Sequence, residues 1–234
     1  MKIRHLLWAM LISVTPVATS ATDMAERVKP CEACHGNQGR AGPDGYYPRL
    51  AGKPAGYLYN QMQHFSEGRR HYPMMRRMMA PLSSDYQREM AHYFASLQVP
   101  YLSPSSQGAP PSPAALTRGQ QLALEGDPAL KLPACNTCHG EQLMGLPPHI
   151  PGLLGLPAAY LGAQLSAWRL GDRRTQAPDC MADIAKRLTA EDAAAVTGWM
   201  AAQKVPTQAT QTQATRPPAD LRCASAPGLH GVIK

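Results

Sequence analysis

Two short stretches of this 234-residue chain carry the same reactive set. Cys31-Glu32-Ala33-Cys34-His35-Gly36 returns as Cys135-Asn136-Thr137-Cys138-His139-Gly140, 104 positions later. Two cysteines three positions apart on a helical turn can both reach the vinyl groups along one porphyrin edge and close thioether bonds. The histidine that follows is then delivered beneath the iron. The spacing therefore predicts two covalently bound haem c groups, attached through Cys31, Cys34, Cys135 and Cys138, with His35 and His139 as proximal ligands. Zinc held by such pairs would want a second ligand pair at each site, and neither half offers one at suitable spacing. A thioredoxin-like dithiol expects a βαβ context, which the chain lacks.

The sixth iron position separates an electron carrier from a catalyst. A methionine thioether favours ferrous iron and raises the potential, whereas an open position admits ligand or peroxide chemistry. In the second half Met181 is the one methionine at suitable distance; Met144 is too near the attachment motif and Met200 lies inside the last helix. The first half offers Met74, Met75, Met78 and Met79, and spacing alone does not choose. Met181 precedes Thr189 by eight residues as Met75 precedes Ser83, which favours Met75 and leaves Met78 as its main rival. The other first-half methionines read as adaptable packing. His64 falls among polar helix positions, and His71, His92 and His149 have no counterpart in the other half, so none is expected on iron.

These residues sit in a chain that contains itself twice. Pro54-Ala55-Gly56-Tyr57-Leu58 matches Pro157-Ala158-Ala159-Tyr160-Leu161, and Gln61, Phe65 and Gly68 match Gln164, Trp168 and Gly171, all at an offset of 103. Leu82, Ser83, Tyr93, Val99 and Pro100 match Leu188, Thr189, Trp199, Val205 and Pro206 at 106, a drift of the kind that loop insertions produce. Two homologous domains follow, over 21–102 and 114–206, joined by a Pro/Ser-rich linker at 103–113 and trailed by a Pro/Thr/Gln-rich tail at 207–234. Each repeat reads as helical. Pro54 and Pro157 suit a first helical turn. Leu58, Gln61, Met62 and Phe65, and likewise Leu161, Gln164, Leu165 and Trp168, share one helix face before Gly68 and Gly171 end it. A later helix opens at Ser83 or Ser84, where Ser84 with Gln87 would form a capping box, and Thr189 with Asp192 does the equivalent. Neither repeat shows a convincing alternating strand.

Composition bounds the rest. Only 6% of residues are aromatic and Phe occurs twice, too little ring volume for an ordinary core. Two porphyrin discs would supply the missing apolar bulk, so the chain without haem is expected to be largely unfolded. Lys2, Arg4 and His5, the apolar run from Leu6 to Val17, and Ala18-Thr19-Ser20 read as a signal peptide over 1–20. Its apolar run is shorter than the roughly 20 residues a membrane span needs. The mature chain is thus expected outside the cytoplasm, in a compartment that permits disulfides. Past that segment 21 basic residues stand against 16 acidic ones. So small an excess argues against nucleic acid and leaves an acidic protein partner or peripheral contact with an anionic membrane surface.

On the two CxxCHG motifs the chain resembles the diheme cytochrome c4 family. The resemblance is carried also by Tyr47-Pro48-Arg49-Leu50-Ala51-Gly52-Lys53, the Tyr57/Leu58/Gln61 helix, Met75 ahead of Pro81-Leu82-Ser83, and Met181 ahead of Leu188-Thr189, and it spans residues 24–206. It implies an all-α architecture of two tandem class I cytochrome c domains, each wrapped around one covalently bound haem. It implies further that the two haems face one another across a pseudo-twofold interface with their propionates near it. His35 with Met75 and His139 with Met181 carry over as axial pairs. The implied role is electron carriage in the periplasm between donor and acceptor redox proteins, commonly toward a membrane terminal oxidase. Two features depart from the family pattern. Pro151-Gly152-Leu153-Leu154-Gly155 lacks a basic residue to match Arg49, and Cys180 and Cys223 are additional. A Cys180–Cys223 disulfide pinning the tail near the second haem is the simplest pairing in an oxidising compartment. A free Cys180 as an alternative iron ligand, and independent or intermolecular thiols, remain open.

The reading that follows is a periplasmic carrier with no substrate chemistry of its own. Two alternatives stand beside it: an electron-transfer subunit of a dehydrogenase complex, and a diheme enzyme with one labile haem ligand. Arg69, Arg70, Arg76 and Arg77 cluster around Met75 with Glu67 opposing them. They form either a patch that steers an acidic partner or a plain solvated basic loop.

Overall fold

The structure, a computed structural model, describes residues 21–42, 45–101, 110–206 and 223–226. The 1–20 segment expected to be a signal peptide, most of the linker and most of the tail lie outside the described residues. Ten α-helices are described: α1 (Ala21–Arg27), α2 (Lys29–His35), α3 (Ala55–Ser66), α4 (Pro73–Met79), α5 (Ser84–Ser96), α6 (Pro113–Leu124), α7 (Cys135–His139), α8 (Ala158–Leu170), α9 (Cys180–Arg187) and α10 (Ala190–Ala202).

Each half repeats one packing scheme. In the first, α3 packs on α4 and α5, and α1 crosses α5. In the second, α8 packs on α9 and α10, and α6 crosses α10. α3 buries Leu58, Gln61 and Phe65 at steps of three and four, the stripe that a 3.6-residue period brings to one side. α10 buries Ala195, Val196, Gly198 and Met200 on more than one side because α6 and α8 both cover it. The α6–α10 crossing is close enough that a Cβ on Gly119 would stand 2.2 Å from the Ala195 carbonyl oxygen.

Several local expectations are refined. Pro54 and Pro157 are N-caps, one position ahead of the first helical turn. α5 is capped by Ser83, whose hydroxyl accepts from the Tyr86 amide, and not by a Ser84–Gln87 box. Gln87 is instead buried: its Nε2 donates to the Met79 and Leu82 carbonyls and to Ser66 Oγ, and its Oε1 accepts from Gln63. That amide ties the end of α4 to α3 and α5. Thr189 caps α10 through the Asp192 amide, as read. The second half also holds an antiparallel pair of two-residue strands, β1 (Gly145–Leu146) and β2 (Ile150–Pro151). Strands this short carry no alternation for a pattern to show.

Candidate haem-binding sites

α2 and α7 each deliver a Cys-x-x-Cys-His turn to one wall of a cavity. His35 and His139 are both buried, and in each the Nδ1 lies 2.8 Å from a proline carbonyl oxygen, Pro48 and Pro151 respectively. A neutral imidazole donates from Nδ1 to that carbonyl, which leaves Nε2 free to bind a metal and fixes the ring's direction. Burial lowers both histidine pKa values, favouring the neutral ligand form. Burial also raises the Cys31 and Cys138 thiols and pushes Cys135 up to about 12.

The first cavity, about 1190 Å³, has Cys31, Cys34, His35 and Met74, Met75, Met78 and Met79 all in its lining. The four methionines differ in environment. Met74 is 56% exposed, whereas Met79 is buried. The second cavity is narrower, about 160 Å³, and joins Cys135, Cys138 and His139 to Met181. A macrocycle would seat there only with lining side chains drawn back. At the 106 offset Met75 pairs with Met181, Met78 with Ile184 and the buried Met79 with the buried Ala185. Both series end in a hydroxyl cap at the same distance, Ser83 and Thr189.

Between the halves lies a constellation that motif reading missed. Arg70 Nη1 donates to Gln61 at 2.9 Å and its Nη2 to Gln164 at 2.7 Å. Arg173 does the reverse, Nη1 to Gln164 at 2.8 Å and Nη2 to Gln61 at 3.0 Å. Each guanidinium also stacks on the aromatic ring of its own repeat, Arg70 on Phe65 and Arg173 on Trp168. The flanking backbone pairs likewise, the His71 amide to the Asp172 carbonyl and the Arg174 amide to the Arg69 carbonyl. All these partners are related by the 103 offset, so the repeats meet as an internal isologous pair. Extending the Gln61/Gln164 match by nine residues would have found Arg70 and Arg173. Arg70 therefore leaves the surface cluster read from sequence, and Arg69 is paired with Glu67, so Arg76 and Arg77 are its exposed members without an ion pair among the described residues.

Among the described residues no carboxylate lies within ion-pair reach of Arg70, Arg173 or the buried Lys53. Burial works to raise the Tyr57 phenol, yet Arg173, Arg70 and Lys53 together bring it down to about 8. Among the described residues, three buried polar atoms at the second cavity lack hydrogen-bond partners, His149 Nδ1, Trp168 Nε1 and Arg173 Nε. Uncompensated buried cations and orphaned polar atoms beside an apolar cavity fit a ligand that is an apolar disc with carboxylate arms. His149, read as uninvolved, belongs to this lining. Arg49 serves the backbone: it donates to the Ala51, Val99 and Pro100 carbonyls and stacks on Tyr101. At its counterpart, Gly152, a Cβ would stand 2.7 Å from the Met144 carbonyl oxygen, so that position has no room for a side chain.

This is the architecture of two class I c-type cytochrome units in tandem. A "Thiosulfate dehydrogenase electron acceptor" of Thiomonas intermedia is 40% identical to the chain over 174 residues, 74% of this chain and 78% of the relative. Cytochrome c4 of Pseudomonas aeruginosa is 31% identical over 196 residues, 82% of this chain and 94% of the relative. Among solved structures, reduced cytochrome c4 from Pseudomonas stutzeri superposes with a TM-score of 0.65 at 30% identity, covering 78% of this chain and 98% of that one. A thiosulfate dehydrogenase from Marichromatium purpuratum gives 0.64 at 31% identity over 78% of this chain, which spans 39% of that longer protein. No family model matches the chain. The chain belongs to the diheme cytochrome c4 family. Its cofactors are two haem c groups, and it transfers electrons between redox partners.

Proposed function

We propose that this cytochrome is exported by cleavage of the 1–20 segment, works in the periplasm, and carries electrons without substrate chemistry of its own. Domains at 21–102 and 114–206 each hold one haem through Cys31 and Cys34 or Cys135 and Cys138. His35 with Met75 and His139 with Met181 are the axial pairs. One observation carries this reading: Met75 and Met181 occupy equivalent places, each eight residues before a capped helix and each lining the cavity that holds the attachment turn. With a thioether available at both sixth positions, neither site is built to be open. When bound, the haems supply one-electron exchange at the iron. The chain's own part is to fix the imidazoles, offer the thioethers and place cations at the anionic arms.

The donor is an enzyme that oxidises thiosulfate, a reading supported by the 40% identity to thiosulfate dehydrogenase electron acceptors. The acceptor is a membrane terminal oxidase, reached by way of the exposed Arg76 and Arg77 and peripheral contact with the anionic surface. Among the described residues no helix is long and apolar enough to cross a membrane. Stopped-flow mixing of the oxidised holoprotein with thiosulfate, with and without a thiosulfate dehydrogenase, tests both parts. Reduction only when the enzyme is present is expected. Turnover of thiosulfate by this protein alone would make it an enzyme, and no reduction in either mixture would remove the assigned donor.

A further inference from the structure

The two methionine-bearing helices are held differently. α9 opens with Cys180, immediately ahead of Met181, and Cys180 is disulfide-bonded to Cys223. The bond brings the segment 223–226 against the second site: Cys180, Cys223 and Ala226 are buried together and pack on Cys138, Ile150, Met181 and Ile184. That group contains one haem-attachment cysteine and the axial methionine. The segment is tied at two further points, since the Ala224 amide donates to the Pro178 carbonyl at 3.0 Å and Asn60, on α3 of the other half, donates to the Ser225 carbonyl at 3.1 Å. Cys223, Ser225 and Ala226 line the second cavity. In the first half the residue at the place of Cys180 is Met74, 56% exposed at the cavity's edge, and among the described residues no segment covers it.

We propose that 223–226 is a disulfide-anchored strap that holds Met181 in ligating position, so that the second haem keeps its sixth ligand more tightly than the first. The proposal rests on Met181 being that ligand. A methionine leaves iron when the helix turn that carries it opens locally, and the cost of opening is set by the contacts that must break. Around Met181 those contacts include a covalent link at the adjacent residue. Met75, on the seven-residue α4, has the Gln87 amide at the helix end and no crosslink.

Imidazole exchange into the ferric holoprotein reads methionine release directly, as loss of the near-infrared sulfur-to-iron band in two phases. A Met181→Ala holoprotein assigns the phases, because it retains only the one from the first haem; should it keep both sulfur bands, the ligand assignment fails and the proposal falls with it, whereas a failure of the strap alone shows only in the crosslink variant once Met181 is assigned. In the C180S/C223S double variant the Met181 phase should run about tenfold faster, the equivalent of ~1.4 kcal/mol, with the Met75 phase unchanged. Unchanged rates in both phases, or equal acceleration of both, would overturn the proposal. Should the double variant not fold, wild-type holoprotein can be reduced, alkylated at the two freed thiols and reoxidised, with the same outcomes read from protein that folded with its crosslink intact.

Discussion

A carbonyl fixes the ring of His35 and of His139, and the proposed partners Met75 and Met181 each ride on a short helix. The residue-scale tests separate the four methionines of the first half. Met75→Ala should abolish the sulfur-to-iron band of the first haem and lower its potential, while Met78→Ala should leave both in place; the reverse pattern would transfer the ligand to Met78. Arg173 carries a second test. A buried cation lining the cavity would disfavour the ferric state of a haem held there, so Arg173→Met should lower the potential of at least one haem by about 60 mV, tenfold in a one-electron equilibrium. Potentials unmoved in a potentiometric titration would separate this guanidinium from the haems. That each Cys-x-x-Cys-His turn would line a cavity was legible in the sequence, because covalent haem attachment requires that spacing. The guanidinium–glutamine square was not, because its members come from two repeats and meet only when the repeats dock.

At the scale of elements, two contacts decide how the frame holds. Gly119 lets α6 lie against α10, and Gly119→Ala should cost about 1–3 kcal/mol by overpacking, read as a lowered midpoint in denaturant unfolding of the holoprotein. His64 sits buried in the last turn of α3, and burial, with Arg69, Arg173 and Arg70 adding to it, lowers its pKa to about 4. Its folded value lies below its unfolded one of about 6.5, so between those values the unfolded chain binds the extra proton. The stability His64 contributes is complete above about 6.5 and is lost as pH falls toward 4. A His64→Leu variant should therefore lose less stability than wild type between pH 7 and 4; parallel curves would show that His64 does not titrate as its surroundings require. Helices were legible from apolar spacing and hydroxyl caps. Ser84 with Gln87 satisfied the same local pattern as the Ser83 cap, and only the packing of α3, α4 and α5 turns Gln87 inward.

For the whole molecule, the internal repeat carried most of the information. It set two Cys-x-x-Cys-His turns 104 residues apart, paired Met75 with Met181, and extended through Arg70 and Arg173 to the interface. It also exposes what is not repeated: Cys180 where the first half has Met74, and the tail that Cys180 holds. The protein is thus a symmetric pair of haem sites with one site strapped. With histidine and methionine proposed on both irons, an optical and electron-paramagnetic-resonance redox titration of the purified holoprotein reads the ligation of each haem. Two low-spin ferric haems, each with a sulfur-to-iron band, both at high potential, are expected. A high-spin or thiolate-type signal from either haem would rule out histidine and methionine at that iron and point to an enzyme.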